Sequence, residues 1–168
     1  MTKKRQFDVE ASFELDAALD AAPKIRMQAN AGSVMTFGDR RMAIDVDGVR
    51  TVKESIPLIY GHDLTAGIGH STKVEARDGA LVVEGVVSRS TDAAREFVAS
   101  SKNGFPWQAS VGGYVRDKIN VKKGEAYNLH GTEIAGPCDI ITAFDLFEVS
   151  VVEYGADSNT SAVAAKGE

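Results

Sequence analysis

The feature that most constrains this chain is a hydropathy period of two. Ile25, Met27 and Ala29 alternate with polar neighbours, as do Met42, Ile44 and Val46, and Thr72, Val74 and Ala76 against Lys73, Glu75 and Arg77. Successive side chains of a strand point to opposite faces, so this alternation predicts half-buried strands. The same pattern opens the chain at Phe7, Val9, Ala11, Phe13 and Leu15, before a short helical turn over Ala17–Ala22 that Pro23 ends. Ile56–Tyr60 reads as a buried strand, and Phe144–Tyr154 is the last strong one.

Glycines punctuate these runs. Asp47-Gly48 and Asp78-Gly79 read as hairpin turns, the second returned by Leu81, Val83 and Val86-Val87, while Gly67-Ile68-Gly69 reads as a break. One helix is predicted over Ala93–Ser101, with Ser90 or Thr91 as its cap and Asn103-Gly104 as its stop. Ala94, Phe97 and Val98 give it one apolar face. Trp107, Ala109 and Val111 then alternate with Gln108, Ser110 and Gly112, a strand with Ser110 on its polar face. Residues 116–133 are polar and contain glycine, which predicts a loop. The expected architecture is mainly β with some α: a largely antiparallel sheet closed into a β-barrel, with at least one helix packed on it. It forms one domain over residues 1–157 with a flexible C-terminal tail at 158–168.

Composition matters mainly for what it excludes. A balance of 19 Lys+Arg against 24 Asp+Glu, with no long basic stripe, argues against nucleic acid as the main partner. A single cysteine, Cys138, rules out an internal disulfide and a thiolate metal cluster. Apolar runs such as Ile56–Tyr60 fall far below the roughly 20 residues that span a bilayer. The basic start at Met1–Gln6 meets charge at Asp8 and Glu10 where a leader would need an apolar segment. A cytoplasmic chain with no membrane contact is expected.

His62, Ser110 and Glu148 sit at strand ends or on a strand's polar face and invite a joint reading. A serine hydroxyl attacks well only when a base removes its proton, and neutral imidazole suits that near pH 7. A carboxylate on the other ring nitrogen orients the base and stabilises its charged form. By residue type alone, ordinary readings stand beside this one. His62-Asp63 makes a turn, Ser110 a small residue where backbones approach closely, and Glu148 a solvated edge residue. His70 and His130 read as exposed polar residues, Cys138 as a small core or loop residue. No compact ligand spacing points to a metal, and Gly67 and Gly69 form no phosphate fingerprint.

Three stretches together resemble the tailed-phage prohead proteases, the serine proteases that trim capsid and scaffold proteins during head maturation. Ile56–Asp63, with Ile68-Gly69 and the Asp78-Gly79 hairpin, resembles the family's histidine segment. Trp107–Gly113 resembles its nucleophile strand, and Phe147–Asp157 its closing strand, where an acidic residue precedes Val-Ser. The resemblance implies Ser110 as nucleophile, His62 as base and Glu148 as orienter. It also implies a fold similar to herpesvirus assemblin, a closed barrel with surrounding helices, in which Glu148 stands at the position of a second histidine. Backbone N–H groups of Gly112, Gly155 and Ala156 become candidates for holding an oxyanion, although Gly155-Ala156-Asp157 replaces the family's frequent Pro-Ala-Asn. It further implies no cofactor, with the major capsid protein and scaffold protein as substrates. The site of action would be the host cytoplasm, inside the assembling procapsid, and a homo-oligomer stays open. A non-catalytic capsid-assembly protein using the same barrel as a binding platform is the alternative, and a β-barrel esterase a third.

Overall fold

The computed structural model describes residues 21–165. The strand expected at Phe7–Leu15 and residues 17–20 of the expected turn lie outside them. In chain order the described elements are β1 (Lys24–Asn30), β2 (Met35–Phe37), β3 (Arg40–Ile44), a 3-10 turn (Val46–Gly48), β4 (Val49–Thr51), β5 (Pro57–Tyr60), β6 (Asp63–Arg77), β7 (Ala80–Val86), α1 (Asp92–Lys102), β8 (Gln108–Val121), β9 (Ala126–Leu129), β10 (Thr132–Ala135), β11 (Cys138–Val152) and β12 (Ser161–Ala165). The period-two residues point inward as expected: Ile25, Met27 and Ala29 of β1 are buried, as are Leu81 and Val83 of β7.

β11 organises the molecule. One side pairs antiparallel with β8 along its length, and the other takes β3, β4 and β5 in succession, all parallel. A strand covered on both faces reads as a near-continuous apolar run, and Ile140, Leu146, Val149 and Val151 are fully buried. The 3-10 turn lets β3 and β4 follow one another along the same side of β11. Asp47-Gly48 is therefore not the expected hairpin. Gly48 sits where a Cβ would come within 1.9 Å of the Thr142 carbonyl oxygen, which fixes glycine there.

Among the described residues the main sheet is largely antiparallel, as expected, but the expected closure into a barrel does not form. One ten-stranded sheet runs β12-β1-β7-β6-β5-β11-β3-β2, with β4 and β8 also paired to β11, and it is not closed into a barrel. β8 and β12 approach without a ladder, because a side chain occupies the groups a neighbouring strand would need. Thr160 Oγ1 accepts the Ala109 N–H at 3.1 Å and donates toward the Ala109 carbonyl at 2.9 Å. Among the described residues, the Ala162 N–H alone reaches across the seam by backbone, to the Trp107 carbonyl at 2.9 Å. In place of surrounding helices, α1 is the one complete α-helix among the described residues. Thr91 caps it as expected, its hydroxyl accepting the Ala94 N–H at 3.1 Å.

Three further expectations change. Residues 116–121 continue β8, and β9 with the first half of β10 falls in the span read as a loop, the two strands forming a hairpin. Arg116 to Asn120 are all exposed, so no alternation marked that strand. Gly67-Ile68-Gly69 does not break β6; a Cβ on Gly69 would stand 1.9 Å from the Val86 carbonyl oxygen, so the glycine permits a close strand crossing. Ser161–Ala165, within the span read as a flexible tail, pair with β1 as β12 and bury Ala162 and Ala164.

Candidate active site

His62 stands in the two-residue connection between β5 and β6. Gly61 and His62 both have positive φ, 60° and 59°, as a type I′ hairpin turn requires. A histidine in this left-handed region is uncommon, and two contacts hold it there. The Gly61 N–H donates to the Val151 carbonyl at 3.0 Å, and the His62 N–H donates to Ser150 Oγ at 2.9 Å.

Ser110 comes from β8, whose start is positioned by α1. Trp107 directly precedes β8 and packs edge-on against Phe97 of α1, with ring centroids 6.1 Å apart. Its indole N–H donates to Ser100 Oγ at 2.8 Å. In the β8–β11 register Ser110 lies opposite Ser150 and Gly112 opposite Glu148. Directly opposed residues project from the same face of a sheet, so these four share one patch beneath the His62 turn.

There the side chains converge. His62 Nε2 lies 2.9 Å from Ser110 Oγ, and His62 Nδ1 lies 2.7 Å from Glu148 Oε1. The carboxylate accepts only, so Nδ1 carries the ring proton and Nε2 is left to accept the serine hydroxyl. The Glu148 side chain is 3% exposed and the His62 side chain 46%. The imidazole thus meets solvent while its carboxylate partner is shut from water. Glu148 Oε2 in turn accepts from Ser150 Oγ at 2.9 Å.

A cleft of about 510 Å³ opens beside Ser110 and His62, with a largely apolar wall of Met35, Met42, Ile44, Ile141 and Phe144. Ala156 is exposed and lines this cleft. The two glycines expected as oxyanion donors are otherwise engaged. The Gly155 N–H donates to Gln108 Oε1 at 2.7 Å. Ala109 turns its N–H and carbonyl away from β11 toward Thr160, so by strand periodicity Gly112 turns its N–H into the β8–β11 ladder. The loop after β11 is pinned by Asp157, whose carboxylate accepts the Ala31 N–H at 2.7 Å and the Asn159 N–H at 3.0 Å.

The other sequence candidates lie apart from this cluster, each with its own partner. His70 Nδ1 meets Ser88 Oγ at 2.7 Å, and His130 Nε2 meets Asp45 Oδ1 at 3.0 Å. Cys138 is buried, and burial pushes its thiol above the ordinary value, away from a reactive thiolate. Sequence reasoning missed Ser150 as a site residue, and it missed why position 112 is glycine. A Cβ there would stand 1.9 Å from Glu148 Oε1. The available signal was spacing: 148 and 150, like 110 and 112, are two apart on one strand face.

A family model described as caudovirus prohead serine protease matches residues 32–168. The chain is also similar to the Trp-sensitive phospho-2-dehydro-3-deoxyheptonate aldolases of Escherichia coli O157:H7, Escherichia coli strain K12 and Shigella flexneri. Each is 25% identical over 158 residues, covering 88% of this chain and 44% of the relative. The chain therefore spans less than half the length of these curated relatives, and that level of identity assigns no family.

Proposed function

The chain belongs to the caudovirus prohead serine protease family, and on that premise we propose a serine endopeptidase in which Ser110 is the nucleophile, His62 the general base and then acid, and Glu148 the carboxylate that orients the imidazole and stabilises its charged form. The observation that carries this reading is the linked pair of contacts, 2.9 Å from Ser110 to His62 and 2.7 Å from His62 to Glu148. Both lie within the reach that proton transfer needs.

In the proposed reaction Ser110 Oγ attacks a peptide carbonyl while its proton passes to His62 Nε2. The imidazolium that forms faces the buried Glu148 carboxylate, where attraction between opposite charges is least screened. The tetrahedral oxyanion needs N–H donors; with Gly112 and Gly155 engaged elsewhere, Ala156 is the one of the three expected donors that remains. His62 then protonates the leaving amine. A water then gives one proton to the same imidazole and adds its hydroxide to the acyl carbon; as the acyl C–O bond breaks, His62 passes that proton to Ser110 Oγ and the new carboxyl leaves. The proton first held by Ser110 departs on the amine, and the one that restores the hydroxyl comes from the water.

The apolar cleft beside Ser110 would receive apolar side chains flanking the scissile bond of an extended peptide. Capsid and scaffold proteins are the proposed substrates, and the assembling procapsid the proposed place of action. No helix of the described residues is long and apolar enough to cross a membrane.

Ser110→Ala tests the assignment. Incubated with capsid protein and followed by mass spectrometry, the variant should yield no cleavage products while keeping its fold; cleavage at the wild-type rate would dispose of the triad. A serine-directed phosphonate should label Ser110 of the wild type. Absence of that label would favour the non-catalytic binding platform.

A further inference from the structure

We infer that Ser150 is a positioning residue for this reaction, holding the general base and its carboxylate in register with one hydroxyl; the inference rests on the hydrolase reading above. Ser150 is fully buried, and its hydroxyl contacts two members of the cluster rather than one. Its single proton goes to Glu148 Oε2 at 2.9 Å, since a carboxylate only accepts. Its oxygen accepts the His62 backbone N–H at 2.9 Å.

Each contact constrains a different freedom. Donation to Oε2 sets the rotation of the carboxyl plane, so that Oε1 faces His62 Nδ1 at 2.7 Å. Acceptance from the His62 amide holds a turn whose φ of 59° is seldom adopted by a non-glycine residue. Nδ1 also lies 3.4 Å from Ser150 Oγ; the shorter, charge-assisted contact to Glu148 takes the ring proton. Across the patch, Gly112 leaves the space into which the carboxylate settles. A serine kept only to fill volume would need neither contact. Here the hydroxyl couples a strand residue two positions away to a hairpin 88 residues away.

The test compares wild type, Ser110→Ala, Ser150→Ala and Ser150→Cys. The labelling rate of Ser110 by a serine-directed phosphonate is followed by mass spectrometry, peptide cleavage gives kcat and KM, and amide exchange at His62 is read by NMR. Label on the wild type but not on Ser110→Ala establishes the hydrolase reading. On that footing Ser150→Ala should be labelled about 10- to 100-fold more slowly, the scale of one lost hydrogen bond to a charged group. The loss should fall on kcat with KM held, and the His62 amide should exchange faster. Ser150→Cys fills the same space with a weak donor, should move in the same direction, and decides the matter where alanine does not fold. A wild-type labelling rate in either variant, or a loss carried by KM alone, overturns the inference and leaves the hydrolase reading standing. A wild type that takes no label overturns both.

Discussion

Glu148 and Gly112 compete for one volume. Any side chain at position 112 would place its Cβ 1.9 Å from Oε1 and 2.9 Å from Cγ of Glu148, so Gly112→Ala must displace the carboxylate or shift β8. A misplacement near 1 Å in a catalytic group costs about 100-fold in rate. Gly112→Ala should lose about that much in kcat, measured on a peptide substrate, while labelling of Ser110 slows in parallel. Glu148→Gln keeps the shape but removes the charge facing the imidazolium. Its kcat should drop less than that of His62→Ala, because in the proposed mechanism the base moves the proton and the carboxylate only supports it; equal losses in a side-by-side assay would contradict the proposed roles.

α1 and β8 act as a unit through Trp107. Phe97 is fully buried and packs on that indole, so Phe97→Ala should cost about 3–5 kcal/mol of stability, read as a lower denaturant midpoint. Activity should fall as well, because the cavity lies at the start of the strand carrying Ser110. Between β8 and β11, hydrogen bonds from Lys118 and Asn120 hold the Asp139 carboxyl below its ordinary range. A carboxyl lowered by folding stabilises the folded chain above its unfolded value, and that contribution is lost as pH falls through the lowered one. Thermal melts should therefore show wild type losing stability more steeply than Asp139→Asn as pH drops below about 4.

At the scale of the whole described molecule, the ten-stranded sheet stays open and the Thr160 side chain bridges its seam. Thr160 is 7% exposed and meets both polar groups of the buried Ala109 backbone. Thr160→Val keeps the shape and removes the hydroxyl, leaving that N–H and carbonyl unpartnered at a cost of about 1–3 kcal/mol. Faster amide exchange at Ala109 with a lower midpoint is the expected result; unchanged protection would mean that the seam is held elsewhere. The seam also adjoins the cleft, since Ala109, Ala156 and Asp157 line it together with Ser110. Loosening the seam should therefore alter peptide binding as well as stability.

Local chemistry was legible from the residues themselves. Alternation in β1 and β7, the cap and apolar face of α1, and the Asp78-Gly79 turn, with φ of 52° and 76°, follow from propensity and period within a few neighbours. His62, Ser110 and Glu148 could be named by type and order, and the structure brings their side chains together. Register could not be read. Which residue of β11 faces Ser110 depends on pairing across about 40 positions, and a slip of one residue would turn every side chain to the other face. The same holds for Gly48, Gly69 and Gly112, whose missing Cβ atoms matter only because a distant carbonyl or carboxylate arrives there. The exposed half of β8 lacked alternation because neither of its faces is buried, and β12 looked like a tail because small residues carry little hydropathy signal. Sequence alone determined the alternating strands, the helix and the candidate groups. Tertiary structure decided the open seam, the seat of Glu148 and the place of Ser150, because contacts between distant segments leave no periodic trace along the chain.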